Sequence, residues 1–315
     1  MMSLVVAVLL TQCGGAGEAC CSGACTAPGT LCSNSICTCT YARSKTDDSN
    51  AKSQCLWWHE KTDIVYHQNT DGNPETHGSE FTAIAKSFAT WQTQLTACGS
   101  LTLTEGPRAG LRTVGYDEKA ATNENIVLFR MKKCTGAAPA TDACWKDDNC
   151  GNAYDCWQHS NSAIAITTTS YHPVTGRILD SDIELNTPSY IFSTVDSPVC
   201  NPPALPYSPT CVSTDIQNTV THEVGHVLGL GHINAAGSTM SPRADPGELT
   251  KRTLDCGSQK FICDVYPKGQ LSRGCVVLSF DGALGKPKTG CQVAPGPVLA
   301  LVALAGLLRR RSTRR

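Results

Sequence analysis

Between Ile64 and Asn69, in Ile64-Val65-Tyr66-His67-Gln68-Asn69, apolar and polar side chains alternate with the period of a half-buried strand. Asp71-Gly72-Asn73-Pro74 breaks that pattern as a turn. The period then lengthens. Phe81, Ile84, Ala85, Phe88, Trp91 and Leu95 recur on one face and predict a helix, with Ser79 as N-cap and Glu80 in the first turn. Residues 101–104 and 125–129 read as further strands. Residues 163–170 alternate, Pro173-Val174-Thr175-Gly176 turns the chain, and residues 178–185 return, so a hairpin is expected. Ile216, Val220, Val224 and Val227 give a second helix its buried side, and Thr214-Asp215-Ile216-Gln217 has the form of a capping box at its start. Residues 254–266, with Phe261, Ile262 and Val265, fit a closing helix.

The second helix carries the chemistry. Its continuation reads His222-Glu223-Val224-Gly225-His226-Val227-Leu228-Gly229-Leu230-Gly231-His232. Residues four apart share a helix face, so His222 and His226 can present two imidazoles to one ion. Glu223 projects from the neighbouring face, where it can reach a water on that ion but is poorly placed to ligate it. Gly229 can adopt φ > 0, end the helix and turn the chain back, which brings His232 in as a third ligand. Three protein ligands with one open position describe a catalytic zinc site, whereas structural sites usually close with four. Met240 follows in Gly237-Ser238-Thr239-Met240-Ser241-Pro242.

This spacing of three histidines, glycine and methionine resembles the metzincin metalloproteases, and Gly-Leu-Gly-His followed by Met-x-Pro looks most like their matrixin branch. Cys55-Leu56-Trp57-Trp58 with the strand and helix after it, and Ile262-Cys263-Asp264-Val265-Tyr266-Pro267, resemble the opening and end of matrixin domains. The resemblance implies an α+β catalytic domain over residues 55–267, with a twisted mixed sheet of about five strands, an active-site helix, a Met-turn and a C-terminal helix. It implies Zn2+ on His222, His226 and His232, Glu223 as the catalytic base, and Met240 as a hydrophobic floor under the imidazoles. Ile164, Ala165, Ile166 and Thr167 would lie on the edge strand that pairs with substrate backbone, although the threonine side chains there read as ordinary strand residues. Pro242 would line the specificity pocket. The expected activity is zinc-dependent endopeptidase cleavage of extracellular proteins. A rival from another class is a cysteine-rich surface binding protein that uses a metzincin scaffold without turnover; the intact Glu223 argues against it. There is no Pro-Arg-Cys-Gly latency segment, and the additional zinc-binding His and Asp pattern of animal matrixins is missing.

Composition adds a compartment. Nineteen cysteines in 315 residues point to a disulfide-rich exported protein, since the zinc motif itself uses none. Residues 1–12 open with an apolar run resembling a signal segment, without a basic start. Residues 13–40 hold too few apolar side chains for a core, so three crossing disulfides are expected to hold them as a small module. Residues 41–54 read as a solvated linker, and residues 268–290 as a stalk. Residues 291–315 contain Cys291, eleven apolar-type residues from 298 to 308 and an arginine cluster. This tail looks like the C-terminal sorting tails of myxobacterial surface proteins, which implies cleavage near Cys291 and envelope attachment through it. A permanent C-terminal anchor is the alternative.

Charge excludes one partner class. The chain carries 26 basic and 27 acidic residues, and removal of the five terminal arginines leaves a body near −6. Nothing in that balance suggests nucleic acid, and a monomer is expected. The cysteine-rich insertion from Cys134 to Cys156, with Asp147, Asp148 and Asp155, reads as solvated loop charge. Asp180, Asp182 and Glu184 are candidate ligands for a structural Ca2+, against a plain surface. His59, His67, His77, His159 and His172 read as structural or exposed.

Overall fold

The computed structural model describes residues 13–50, 53–119, 123–201, 210–275, 277–279 and 288–290. The signal-like residues 1–12 and the tail from Cys291 onward lie outside them, as do residues 202–209 of the Pro-rich loop. Among the described residues no helix is long and apolar enough to cross a membrane.

Residues up to Cys275 form one unit built on a five-stranded mixed sheet. In chain order its strands are β1 (Asp63–Gln68), β2 (Thr102–Glu105), β3 (Asn125–Arg130), β4 (Ala165–Tyr171) and β5 (Ile178–Asn186). The spatial order is β2-β1-β3-β5-β4, every pairing parallel except the hairpin β4/β5. β1 alternates as expected, with Ile64, Tyr66 and Gln68 buried. Central β3 is buried along almost its whole length, as a strand covered on both faces must be. β4 is one edge of the sheet and β2 the other.

Three helices complete the unit: α1 (Ser79–Cys98), α2 (Ile216–Val227) and α3 (Cys256–Val265). α1 starts one residue earlier than its pattern suggested, because Gly78, at φ 90°, is the N-cap. Ser79 Oγ bonds Thr76 O at 2.7 Å instead of the helix backbone. Glu80 is buried, accepting from Asn73 N and Thr76 Oγ1. α1 packs on α2: Trp91 Nε1 donates to Thr221 O at 2.8 Å, and Ser87 Oγ to Gln217 O at 3.1 Å. Phe88 stacks on Tyr66 of β1, so α1 joins the sheet to the second helix.

The segments before Cys55 differ from a module on a solvated linker. Cys13–Cys21, Cys20–Cys32 and Cys25–Cys37 close the N-terminal module, but Cys39 bonds Cys256 at the start of α3. Ala42–Arg43 then pairs antiparallel with Leu230–Gly231. Arg43 is partly buried and donates to Leu56 O and Gly274 O, and Ser44 Oγ donates to Leu230 O at 2.8 Å. Polar side chains here satisfy backbone carbonyls rather than water, so a polar composition does not make this segment a solvated linker. Only the part beyond Lys45 is largely solvent-facing, looping through Asp47 and Asn50. The start of the expected stalk is also fastened, by Lys268 N to Cys98 O at 2.8 Å and the disulfide Cys55–Cys275. Residues 277–279 and 288–290 pair antiparallel in a separate unit.

The insertion is closed by Cys134–Cys156 and Cys144–Cys150 around its own small apolar cluster. Its Asp155 is not simply solvated: it accepts from Arg112 at 2.7 Å and from the fully buried Arg130 at 3.0 Å. Arg130 also meets Glu184 at 2.5 Å, and Glu184 meets His159 at 3.2 Å. Burial alone would raise the Glu184 carboxyl, but the His159 hydrogen bond and Arg130 outweigh it and hold it below the ordinary glutamate value. Asp180, Asp182 and Glu184 are all buried, so they are no plain surface. Asp182 accepts from Ile126 N and Gly115 N, while Glu184 is engaged by Arg130 and His159. The three carboxylates do not form a common metal-capable group among the described residues.

Candidate active site

α2 is fixed at its start by Asp215, which accepts from Asn218 N at 2.6 Å. The expected capping box starting at Thr214 does not form: Thr214 pairs with Phe192, Asp215 is the N-cap, and the Asn218 side chain accepts from Lys251 N instead of reaching back to the cap. Arg252 clamps the same carboxylate through two bonds, at 2.8 and 2.6 Å. Ile216, Val220, Val224 and Val227 are buried as the pattern required.

Gly229 adopts φ 93° and turns the chain. A Cβ there would also fall 2.6 Å from Leu56 O, so glycine is required on both counts. The turn delivers His232. The Nε2 atoms of His222, His226 and His232 form a triangle with edges of 3.2, 3.1 and 3.1 Å. His222 Nδ1 lies 2.6 Å from Thr239 O, and His226 Nδ1 lies 2.8 Å from Leu230 O. A carbonyl only accepts, so each Nδ1 carries the proton and each Nε2 turns a lone pair toward the centre. Burial pushes all three imidazoles below the ordinary histidine value, His222 furthest, and keeps them neutral. Converging neutral lone pairs repel one another unless a cation lies between them. Tetrahedral zinc bonds of about 2.0–2.1 Å separate ligand nitrogens by about 3.4 Å, close to the observed edges. The donor set fits zinc.

Glu223 sits beside this triangle and is 6% exposed. Burial pushes its carboxyl up to about 7, opposed by a hydrogen bond from Thr167 and by His232. Thr167 Oγ1 donates to Glu223 Oε2 at 2.6 Å.

Met240 lies under α2, buried, with Sδ where a Cβ on Gly225 would approach to 2.3 Å. Its loop is anchored by Asp255, whose carboxylate accepts from Ser238 Oγ and Thr239 N while its other oxygen caps α3 at Gly257 N. One side chain thus joins the carbonyl that orients His222 to the C-terminal helix.

Two clefts meet at Glu223 and His232. One, of about 380 Å³, is lined by Ile164, Ala165 and Ile166, by Pro242, and by Asn218 and Lys251. The other, of about 310 Å³, is bounded by Thr167 and Thr169 opposite Ser44 and Leu56. Ile164 precedes β4, and Ala165, Ile166 and Thr167 lie on it, so these four residues and Pro242 all border the site. Lys251 Nζ donates to Arg243 O at 2.6 Å and Glu248 Oε1 at 2.8 Å, holding the loop that forms the first cleft's wall. Cys291 lies outside the described residues.

Several contributors were not read from sequence. Gly225 had a signal, since a glycine in mid-helix costs about 1 kcal/mol relative to alanine and needs a reason. Asp255, Ser44, Lys251 and the Thr167 hydroxyl had none, because their partners are remote in the chain.

The matrixin family model matches residues 146–266. The match spans the β4/β5 hairpin, α2, the three histidines, Met240 and α3, and the mixed sheet and helices are compatible with it. It supports a metzincin-type, matrixin-like domain with a metalloprotease-type function, for which zinc dependence is general. No curated protein matches the chain.

Proposed function

We propose that this protein is an exported zinc endopeptidase that hydrolyses peptide bonds in extracellular proteins. The observation that carries the proposal is the convergence of three neutral imidazoles beside a buried carboxylate, where two clefts meet under an edge strand. His222, His226 and His232 would hold the ion. Zinc bound there lowers the pKa of a water toward ~7 and polarises a carbonyl. Glu223, whose carboxyl burial pushes upward, is placed beside the ion site as a group that can take and return a proton. It accepts the proton of the attacking water and delivers it to the leaving amine. The outer edge of β4 receives an extended peptide by strand addition at residues 164–167, and Pro242 walls the pocket for the side chain beyond the cleaved bond.

Among the described residues nine disulfides take eighteen cysteines, which suits an oxidising compartment. Cys291 is the proposed point of tail processing and attachment to a bacterial cell envelope. The proposed working form is a monomer that takes protein or peptide substrates and no nucleic acid.

The test is Glu223→Gln. Zinc content is expected to persist while cleavage of a quenched peptide library falls by about 10³-fold. Phenanthroline is expected to abolish wild-type cleavage and added zinc to restore it. A fully active Glu223→Gln protein, or one indifferent to chelation, would overturn the reading.

A further inference from the structure

We propose that Thr167 is a positioning residue for Glu223, an inference that rests on reading the site as a zinc peptidase. β4 alternates so that Ala165, Thr167 and Thr169 share the face toward α2. Ala165 is buried and the two threonines border the second cleft. From that face the Thr167 hydroxyl lies 2.6 Å from Glu223 Oε2 and 3.2 Å from the Glu223 carbonyl oxygen. One hydroxyl has one proton, and the shorter contact, to the carboxylate, takes it.

The bond fixes one carboxylate oxygen. Oε1 receives no hydrogen bond from the described residues, and Glu223 borders both clefts. A glutamate has three side-chain torsions, and on the flank of a helix it could swing toward solvent. Holding Oε2 removes that freedom and keeps Oε1 directed to where the reacting water must be.

The donor's location matters as much as its chemistry. Thr167 pairs with Ile183 on its inner side, while β4 ends the sheet and leaves its outer edge for another strand. A peptide added there would lie along the strand that orients the base. Thr167 would then serve substrate through its backbone and Glu223 through its side chain, so that seating the peptide and aiming the carboxylate depend on one strand.

The test compares Thr167→Val, which keeps the shape and removes the donor, with Thr167→Ser, which keeps the donor. For Thr167→Val, kcat on a quenched peptide is expected to fall about 10- to 100-fold, with KM within about twofold and zinc content and melting temperature near wild type. Thr167→Ser should recover most of kcat. In the Glu223→Gln background, Thr167→Val should cause little further loss, because both act through one carboxylate. Crystals of the Thr167→Val protein should show the Glu223 carboxylate displaced. Unchanged kcat in Thr167→Val, equal losses in both variants, or an undisplaced carboxylate would overturn the assignment. If the wild type cleaves no peptide, the proposed function fails, and the carboxylate position in the two crystals still decides the role of Thr167.

Discussion

Around Arg130 the carboxylates are met by guanidinium and imidazole groups, whereas around His222 three imidazole Nε2 atoms face each other. Both clusters lie in one unit of the protein and both draw on groups far apart in sequence. In the first, Glu184 takes Arg130 on one oxygen and His159 on the other, and Asp155 takes Arg112 and Arg130. Desolvation is offset within the protein, and the cluster ties the insertion to the sheet. In the second, the Nδ1 atoms of His222 and His226 are tied to carbonyls, but the Nε2 atoms have only each other. Polar groups that cancel internally hold structure; polar groups that converge without cancelling call for a ligand.

The contrast can be broken most directly at His226. Saturating zinc at a thousandfold over its Kd should stabilise the wild type by about 4 kcal/mol. In His226→Ala that stabilisation, and peptide cleavage with it, should vanish. Thermal unfolding with and without zinc measures it, and undiminished stabilisation of the variant would place the ion elsewhere.

Arg130→Met probes the other cluster. Removing one partner from a buried pair costs about 3–5 kcal/mol, so the urea midpoint should drop substantially, while activity per folded molecule in the cold should survive. A variant as stable as wild type would mean that the Arg130 charges are not what holds the insertion.

The smallest effect is in pH. Glu184 is held below the ordinary glutamate value, so its contribution to stability is present above the unfolded pKa of about 4.3. That contribution is lost as pH falls through the lower folded value. His159→Asn, which removes one of the groups that lower it, should make the loss of stability on acidification begin at a higher pH. Unfolding midpoints between pH 3 and 7 measure this, and superimposable curves for the two proteins would remove His159 from the balance.

Much of the site could be read locally. The four-residue spacing of His222 and His226, the turn at Gly229 and the return to His232 lie within one short stretch, where helix geometry alone dictates which side chains meet. The strands were legible for the same reason, since alternation is written into consecutive residues. Ser79 and Thr214 do not cap their helices, because several polar residues compete at a helix start. In both cases a neighbouring segment settled the competition: Thr76 beside Ser79, and the Phe192–Ser193 pair beside Thr214.

Residues 41–45 mark the limit of that reading. Their polar composition is that of a linker, yet Arg43 and Ser44 are committed to carbonyls of Leu56, Leu230 and Gly274. The partners of Thr167, Asp255 and Cys39 are equally remote. The amino-acid order alone was enough to specify that three histidines and a glutamate come together on one helix and the turn after it, because short-range periodicity sets those positions. Which hydroxyl holds the glutamate, which carboxylate anchors the methionine loop and where the N-terminal module docks were decided by packing. Those contacts join residues that no local period relates, and they exist only once the edge strand, the two helices and the disulfides have brought their backbones within hydrogen-bonding distance.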